Sequence, residues 1–233
     1  MSSHNMKFKD RIQAGQKLGE RLLIRGYSRP VILALPRGGV PVADEVAHIL
    51  GAPLEVIVAR KIGAPQHPEF GIGAISEDEI PRFNLNMSNY FDVTGAEIKA
   101  IVKAETEELR RRINHYRKGR DLPQLEGKTV ILIDDGLATG VTAAAAGEFL
   151  KSRHPDKLIF AAPVCPSEIA PEIHKQFDEI VCLQGPHNFQ AVGLWYENFR
   201  QVEDEEVMLI LDRHHMNVNI PIENLASTPN RIV

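Results

Sequence analysis

Apolar and polar positions along this chain follow two periods, and the switches between them mark out its elements. Between Phe8 and Arg25, the residues Ile12, Leu18, Leu22 and Leu23 recur at helical spacing among charges, and Gly26 ends the pattern, which predicts an amphipathic helix. Val31–Leu35 (VILAL) is continuously apolar and runs into the turn Pro36-Arg37-Gly38-Gly39, after which Val40 to Leu50 reads as a helix. Leu54–Ala59 (LEVIVA) predicts a second buried strand, and Gly71–Ile75 with Ile80–Phe83 predict a hairpin around Glu77-Asp78.

Thr94 followed by Glu97 is the signature of a capping box, in which hydroxyl and carboxylate satisfy free backbone N–H groups at a helix start. A long helix should follow, with Ile98, Ile101, Val102, Leu109, Ile113 and Tyr116 on its apolar face. Its other face turns basic at Arg110, Arg111 and Arg112, as a solvated helix end favoured by the macrodipole does. Beyond a linker from Gly119 to Lys128, the pattern predicts strand Thr129–Ile133, helix Val141–Lys151, strand Leu158–Pro163, helix Ile169–Lys175 and strand Glu179–Leu183. Repeated strand–helix units imply a parallel sheet covered on both faces. The remainder, Gln184–Val233, carries the single Trp195 in a loop and a helix around Glu205–His214.

Composition narrows the classes of function. The chain has 27 Lys plus Arg against 31 Asp plus Glu, a formal charge of -4, which excludes a strongly basic nucleic-acid binder. With 43% hydrophobic and 25% charged residues it belongs with ordinary globular chains able to bury a core. The longest apolar run, Leu158–Cys165, contains Pro163 and falls far short of the about 20 residues that cross a bilayer. Cys165 and Cys182 lie in or beside apolar runs without CxxC spacing, which predicts buried thiols in a reducing compartment rather than a disulfide, and hence a cytoplasmic location. The polar start, Met1–Asn5, is set aside from the fold.

The chemistry centres on Val130–Thr142, VILIDDGLATGVT. A buried strand ends in two adjacent carboxylates, followed by a loop of small residues and hydroxyls and then a helix. Ligands of open α/β sheets bind beyond the carboxyl ends of the strands, and a helix N-terminus after a small-residue loop offers free N–H groups to a phosphate. Gly140 permits close approach, and the hydroxyls of Thr139 and Thr142 can donate to the same oxygens. Asp134 and Asp135 would repel that phosphate, so they serve something nearby that wants acceptors, either sugar hydroxyls or a divalent cation. Together these features point to a sugar phosphate.

The run VILIDDGLATGVTA resembles the 5-phosphoribosyl-1-pyrophosphate (PRPP) motif of type I phosphoribosyltransferases, and the likeness extends over about 160 residues by position along the chain. It implies an α/β fold, a Rossmann-like parallel sheet flanked by helices, with a small hood. One domain over 1–233 is expected, with the core at about 30–184 and the hood built from the N-terminal helix and 184–233. In this resemblance Asp134 and Asp135 hold the ribose hydroxyls, and Ala138, Thr139, Gly140, Val141 and Thr142 wrap the 5-phosphate. LPRGGVP is similar to the family's pyrophosphate loop, which assigns Arg37, Gly38 and Gly39 to the leaving group. Arg60 and Lys61 resemble the basic pair before the family's mobile loop, here Gly63–Glu79. Arg37, Lys61, Asp134 and Asp135 are the catalytic candidates. Magnesium (Mg2+) is the implied cofactor, bound mainly by PRPP and only indirectly by Asp134 and Asp135. The segments FKDRIQAGQKLGERL, LPRGGVPVADEVA and ARKIGAPQHPEFGIGAI together look like a subgroup of predicted bacterial phosphoribosyltransferases with unassigned base substrate.

What the resemblance implies is transfer of the phosphoribosyl group from PRPP to an unidentified nitrogen nucleophile, nucleobases included, with release of pyrophosphate. Members of the resembled family often form homodimers, while the lack of a spanning run and the net charge of -4 argue against a membrane and a nucleic-acid partner. The family's hypoxanthine-guanine members carry an Asp immediately before the Thr-Gly, where this chain has Ala138. Adenine-type members also have Ala there and take acidic help from elsewhere, for which Glu77 or Asp78 is the nearest candidate. Trp195, Tyr196 and Phe199 are close enough in sequence to stack on a base or to form a small core of their own. The alternative reading is a PRPP or nucleotide sensor of the same fold with weak or no catalysis, using the Arg110–Arg120 stretch on nucleic acid. Two decoys are set aside: Asp134-Asp135 lacks the one-residue spacing of aspartyl phosphatases, and Gly127-Lys128-Thr129 lacks the upstream glycine of a P-loop. His214-His215 and the other histidines form no metal-ligand spacing and are read as surface or helix-packing residues.

Overall fold

The structure, a computed structural model, describes residues 7–83 and 94–218. In chain order it contains α1 (Arg11–Leu23), β1 (Pro30–Ala34), α2 (Gly39–Leu50), β2 (Leu54–Val56), β3 (Arg60–Ala64), β4 (His67–Ile75), β5 (Pro81–Phe83), α3 (Gly95–Arg117), β6 (Thr129–Ile133), α4 (Val141–Lys151), β7 (Lys157–Val164), α5 (Pro171–His174), β8 (Glu179–Gln184), a 3-10 turn (Val192–Trp195) and α6 (Asp204–Val218). The expected α/β class holds. Five strands form a parallel sheet in the order β2-β1-β6-β7-β8, and β3-β4-β5 form a separate antiparallel sheet.

β1 and β6 pair in register from Pro30 opposite Thr129 to Ala34 opposite Ile133. Every β6 residue is buried, because the two cores lie on opposite faces of the sheet. Ile131 and Ile133 pack with α1 and α2 side chains such as Leu18, Val42 and Val46. Val130 and Leu132 pack on the other face with Phe149, Leu150 and Phe160. Each such aliphatic side chain contributes about 1.5–3 kcal/mol on burial, so a continuous apolar run, rather than an alternating one, is what this central position requires.

The capping box forms as expected: Thr94 Oγ1 accepts the N–H of Glu97 at 3.3 Å, and the Glu97 carboxylate accepts the N–H of Thr94 at 3.0 Å. Gly63–Glu79 differs from the mobile loop expected there. Its Gly63–Ala64 belongs to β3 and its His67–Ile75 to β4, paired from Arg60 opposite Ile75 to Ala64 opposite His67, and β5 completes the sheet. Strand pairing supplies the backbone hydrogen bonds that an isolated loop would leave to water. The cysteine expectation is also corrected. Cys165 and Cys182 form a disulfide, because the ends of neighbouring β7 and β8 bring their Cα atoms to 6.1 Å, inside the range a bridge spans. Among the described residues no helix is long and apolar enough to cross a membrane.

One buried ion pair ties the small sheet to the long helix. Arg117 and Glu77 are each 6% exposed at the side chain. Arg117 donates to Glu77 and to the carbonyl of Val56 at 3.0 Å, and Glu77 also accepts the N–H of Val58 at 2.8 Å. Removing one member leaves the other charge uncompensated. Glu77→Ala is therefore expected to lower unfolding free energy by about 3–5 kcal/mol in urea titrations. Lys103→Ala, which removes an exposed pair with Glu107 at 4.0 Å, should cost at most about 1 kcal/mol.

Candidate functional site

The strand order creates a crevice. The chain leaves β1 toward β2 on one side and leaves β6 toward β7 and β8 on the other, so the C-terminal ends of β1 and β6 form a topological switch point, where ligands of open α/β sheets bind. The turn after β1 and the Asp134–Gly140 segment after β6 meet there. A Cβ at Gly38 would lie 2.0 Å from Asp135 Oδ2, and one at Gly39 would lie 2.7 Å from the carbonyl of Ile133. Only glycine lets the turn press against the paired aspartates. The Pro36–Arg37 peptide in this turn is cis.

Asp135 is buried and Asp134 is partly exposed. Asp134 Oδ1 accepts the N–H of Asp135 at 2.8 Å. Asp135 Oδ2 accepts from Arg11 Nε at 2.9 Å and lies 2.8 Å from Arg11 Nη2. Burial lifts the Asp134 carboxyl well above its ordinary range, and the neighbouring Asp135 charge pushes the same way. Burial lifts Asp135 as well, opposed by the Arg11 guanidinium. Tyr196 donates its hydroxyl to the carbonyl of Asp135 at 2.6 Å, and burial, together with the Asp135 charge, holds that phenol protonated.

The following loop has the form of an anion cradle. Gly140 adopts φ 71°, a left-handed conformation that favours glycine, and opens α4 without a side-chain cap. The backbone N–H of Ala144 returns to the carbonyl of Gly140 at 2.8 Å. The first-turn amides and the dipole of α4 are left to meet an anion at this end of the helix, in the stretch that carries Thr139 and Thr142. Among the described residues no group of three or more His, Cys, Asp or Glu can hold a metal ion. Magnesium is commonly held by one or two carboxylates, with water and substrate phosphates completing the shell. Asp134 fits that partial role, and a protein-only cage does not.

The other expected site residues are distributed around this centre. Arg37 Nη1 lies 3.5 Å from Glu203 Oε2 and 3.6 Å from Asp204 Oδ1, at the start of α6. Arg60 Nε pairs with Glu105 of α3 at 2.7 Å, and Lys61 follows on β3, exposed and opposite Ala74. Glu77 is held by Arg117. Desolvation acts upward on the Asp78 carboxyl, but it accepts from both terminal nitrogens of Arg82, and those bonds draw it below its ordinary value. Neither candidate for acidic help is therefore uncommitted. A cleft of about 400 Å³ beside Thr139 and Val141 is lined by Arg82, Phe83, Glu148 and Ile173, and by neither aspartate of the pair.

Trp195 and Tyr196 are buried, and Tyr196 packs on Phe8 at 5.6 Å and on Phe199 at 5.0 Å. They form a small core, with the Arg11 guanidinium 3.9 Å above the Phe199 ring. Arg11 is the site residue that sequence motifs missed. Its signal was present, because Arg11, Ala14, Gly15, Leu18 and Leu22 share the buried stripe of α1. A lone arginine on such a stripe requires a buried acid.

Residues 10–198 match the phosphoribosyl transferase domain. The chain belongs to that family. Two proteins of Mycobacterium tuberculosis, from strains CDC 1551 and H37Rv and each named "Putative phosphoribosyl transferase", are 43% identical to it over 208 residues. The match covers 89% of this chain and 47% of theirs, so the chain spans about half the length of these relatives. The crystal structure of TT1426 from Thermus thermophilus superposes with a TM-score of 0.72 at 39% identity, covering 88% of this chain and 98% of that one. The type I phosphoribosyltransferase fold expected from the motif is thus the fold observed.

Raised carboxyl pKa values mean that folding favours the protonated forms. Stability is then held at low pH and lost as pH rises through the folded-state values. Asp134→Asn removes the charge and keeps an acceptor for the Asp135 N–H, so the ligand-free variant should melt about 2–4 °C above wild type at about pH 7.5. That difference should shrink on acidification toward about pH 4, since the wild-type carboxyl is then protonated. Asp135→Asn should instead be less stable, by about 3 kcal/mol, and melt lower, because it strips the charged partner from buried Arg11. Thermal denaturation followed by circular dichroism checks both.

Proposed function

We propose that this chain transfers the 5-phosphoribosyl group of PRPP to a nitrogen nucleophile, with magnesium, and releases pyrophosphate. The observation that carries this reading is the Asp134–Asp135 pair, with Asp135 buried, set between the glycine turn after β1 and the uncapped N-terminus of α4. In this reading the α4 amides with Thr139 and Thr142 bind the 5-phosphate, and Asp134 and Asp135 accept from the ribose hydroxyls. Arg37, with Gly38 and Gly39, receives the pyrophosphate, helped by Arg60 and Lys61 from β3.

The protein's task is positioning and electrostatics rather than covalent chemistry. As the bond to pyrophosphate lengthens, positive charge develops on the anomeric carbon and ring oxygen, while negative charge gathers on the leaving group. Buried acidic groups beneath the ribose stabilise the first, and Arg37 the second. Magnesium, when bound, neutralises further charge on the departing phosphates. Arg37 is already oriented by Glu203 and Asp204, and Asp204 is fixed in turn by the Tyr116 hydroxyl at 2.6 Å.

The sensor reading draws no support from the basic run. Arg110 is engaged by Glu79, Arg111 and Arg112 by Glu108, and that shared contact lowers the Glu108 carboxyl to about 2. A surface neutralised in this way has little field left for nucleic acid.

Two measurements test the proposal together. Calorimetry should show PRPP binding in the presence of magnesium, and pyrophosphate release should depend on one acceptor from a panel of purines, pyrimidines and other nitrogen nucleophiles. Arg37→Ala should weaken PRPP about 10- to 100-fold, as loss of a charge-assisted contact does, while leaving ribose 5-phosphate affinity unchanged. Equal loss for both ligands, or none for either, contradicts the assignment of Arg37 to the pyrophosphate.

A further inference from the structure

We infer that the Cys165–Cys182 disulfide is a site of reversible thiol–disulfide exchange, and that its opening by a dithiol loosens the loop at Gly140 that the reading above assigns to the 5-phosphate. The bridge joins neighbouring strands, with Ala162 of β7 opposite Cys182 of β8 and Val164 opposite Gln184. Two main-chain bonds extend this pairing toward the site: Cys165 N–H to the Gln184 carbonyl at 3.0 Å, and Leu137 N–H to the Val164 carbonyl at 2.9 Å. The residue before Cys165 is thus bonded to the segment that runs from the aspartate pair to Gly140. Cys165 also shares one apolar cluster with Leu137, Ile173 and Phe177, and the partly exposed Cys182 packs against that cluster.

The segment that the bridge closes, residues 166–181, reaches the loop a second time through Ile173. A Cβ at Gly140 would lie 2.5 Å from Ile173 Cδ1 and 3.2 Å from Leu137 Cδ1, so the backbone that opens α4 rests on these two side chains. Ile173 is 2% exposed and belongs to α5, a helix of four residues, which is too short to hold its shape alone. The segment is tied near its ends by Ser167 N–H to the Pro186 carbonyl at 3.1 Å and Asp178 N–H to the Leu158 carbonyl at 2.8 Å. Between them Lys151 donates to the Lys175 carbonyl, and Ile173 and Phe177 supply packing. A cross-link restricts the open conformations of the chain it closes. Its loss therefore favours local opening of residues 166–181, and with it the withdrawal of Ile173 from Gly140.

The exchange balances with a dithiol as the reductant. Cys165 is fully buried and Cys182 partly exposed, so the dithiol's first thiolate attacks Cys182 Sγ. The sulfur–sulfur bond breaks with its electron pair on Cys165 Sγ, which takes up a proton. The second thiolate of the reductant then attacks the reductant sulfur of the mixed disulfide, and Cys182 leaves as a thiolate and is protonated. The protein gains two S–H groups, and the dithiol loses two and becomes a cyclic disulfide.

The test compares air-oxidised wild type, the same protein reduced with dithiothreitol, the double variant Cys165→Ser with Cys182→Ser, and Ile173→Ala. Alkylation with mass spectrometry counts thiols, hydrogen exchange follows the amides of residues 138–144, and calorimetry gives the affinity for magnesium–PRPP. Oxidised wild type should carry no free thiol. Reduction should release both, speed exchange at residues 138–144 by about 5-fold or more, the low end of coupling between linked sites, and leave β1 unchanged. PRPP affinity should fall by a similar factor. The double serine variant should match reduced wild type and not respond to dithiothreitol, and Ile173→Ala should loosen the same amides with the bridge intact. Free thiols in the oxidised sample, unchanged exchange at residues 138–144 on reduction, or exchange in Ile173→Ala equal to that of oxidised wild type overturns the inference. The affinity readout rests on the PRPP reading above, and the exchange readout does not. Equal PRPP affinity in both redox states overturns this inference and leaves that reading intact, whereas no PRPP binding in either state brings down that reading, and the exchange result then decides this inference.

Discussion

Two adjacent carboxylates at the end of a central strand, one of them buried, are the constraint around which this molecule is arranged. A lone buried carboxylate is costly unless it is paired or protonated, and this fold supplies both remedies. Asp135 receives the Arg11 guanidinium, and Asp134, packed below the glycine turn, has its carboxyl raised above its ordinary range by burial and by the Asp135 charge. Arg11 must reach the carboxylate from the first turn of α1, so the N-terminal helix is fixed over the sheet edge. Arg11 Nη1 donates to the Arg200 carbonyl at 2.7 Å, and its face covers Phe199. The N-terminal helix and the chain after β8 are thereby joined to the end of β6 through one charged group.

A second tier of charged contacts surrounds the first. Tyr116 of α3 fixes Asp204 of α6, and Asp204 with Glu203 orients Arg37. His214 and His215 bind α6 to Asp44 of α2 and Glu55 of β2 at 2.8 and 3.1 Å, the helix-packing role expected of that pair. Arg37 stays partly exposed, and in the proposed reading a pyrophosphate, which carries more charge, displaces its carboxylate partners. The outer helices thus present to the crevice an arginine that is oriented yet exchangeable.

The fold was largely legible in the sequence because its signals are local. The apolar runs of β1 and β6, the Thr94–Glu97 capping box and the glycine turn each encode their conformation within a few residues, and the elements formed at or within a few residues of the expected bounds. The carboxylate pair and phosphate loop were legible for the same reason: they occupy one continuous segment. What escaped depends on distance in sequence. Arg11 and Asp135 are 124 positions apart and meet only through the packing of α1. Glu77 looked available because its partner Arg117 lies on another element, 40 positions away. The pairing of β3 with β4 and the approach of Cys165 to Cys182 likewise follow from tertiary neighbours, which no period of apolar residues reports. Asp135 holds Arg11 in the fold, a role that its place in the motif does not report.

The most direct test of this account is a crystal structure of the protein with magnesium and PRPP. The account predicts the 5-phosphate within hydrogen-bonding distance of the first-turn amides of α4 and the Thr142 hydroxyl, the ribose hydroxyls on Asp134 and Asp135, and the pyrophosphate at Arg37. PRPP bound elsewhere, or with its two phosphate ends reversed across the Asp134–Asp135 pair, would contradict it.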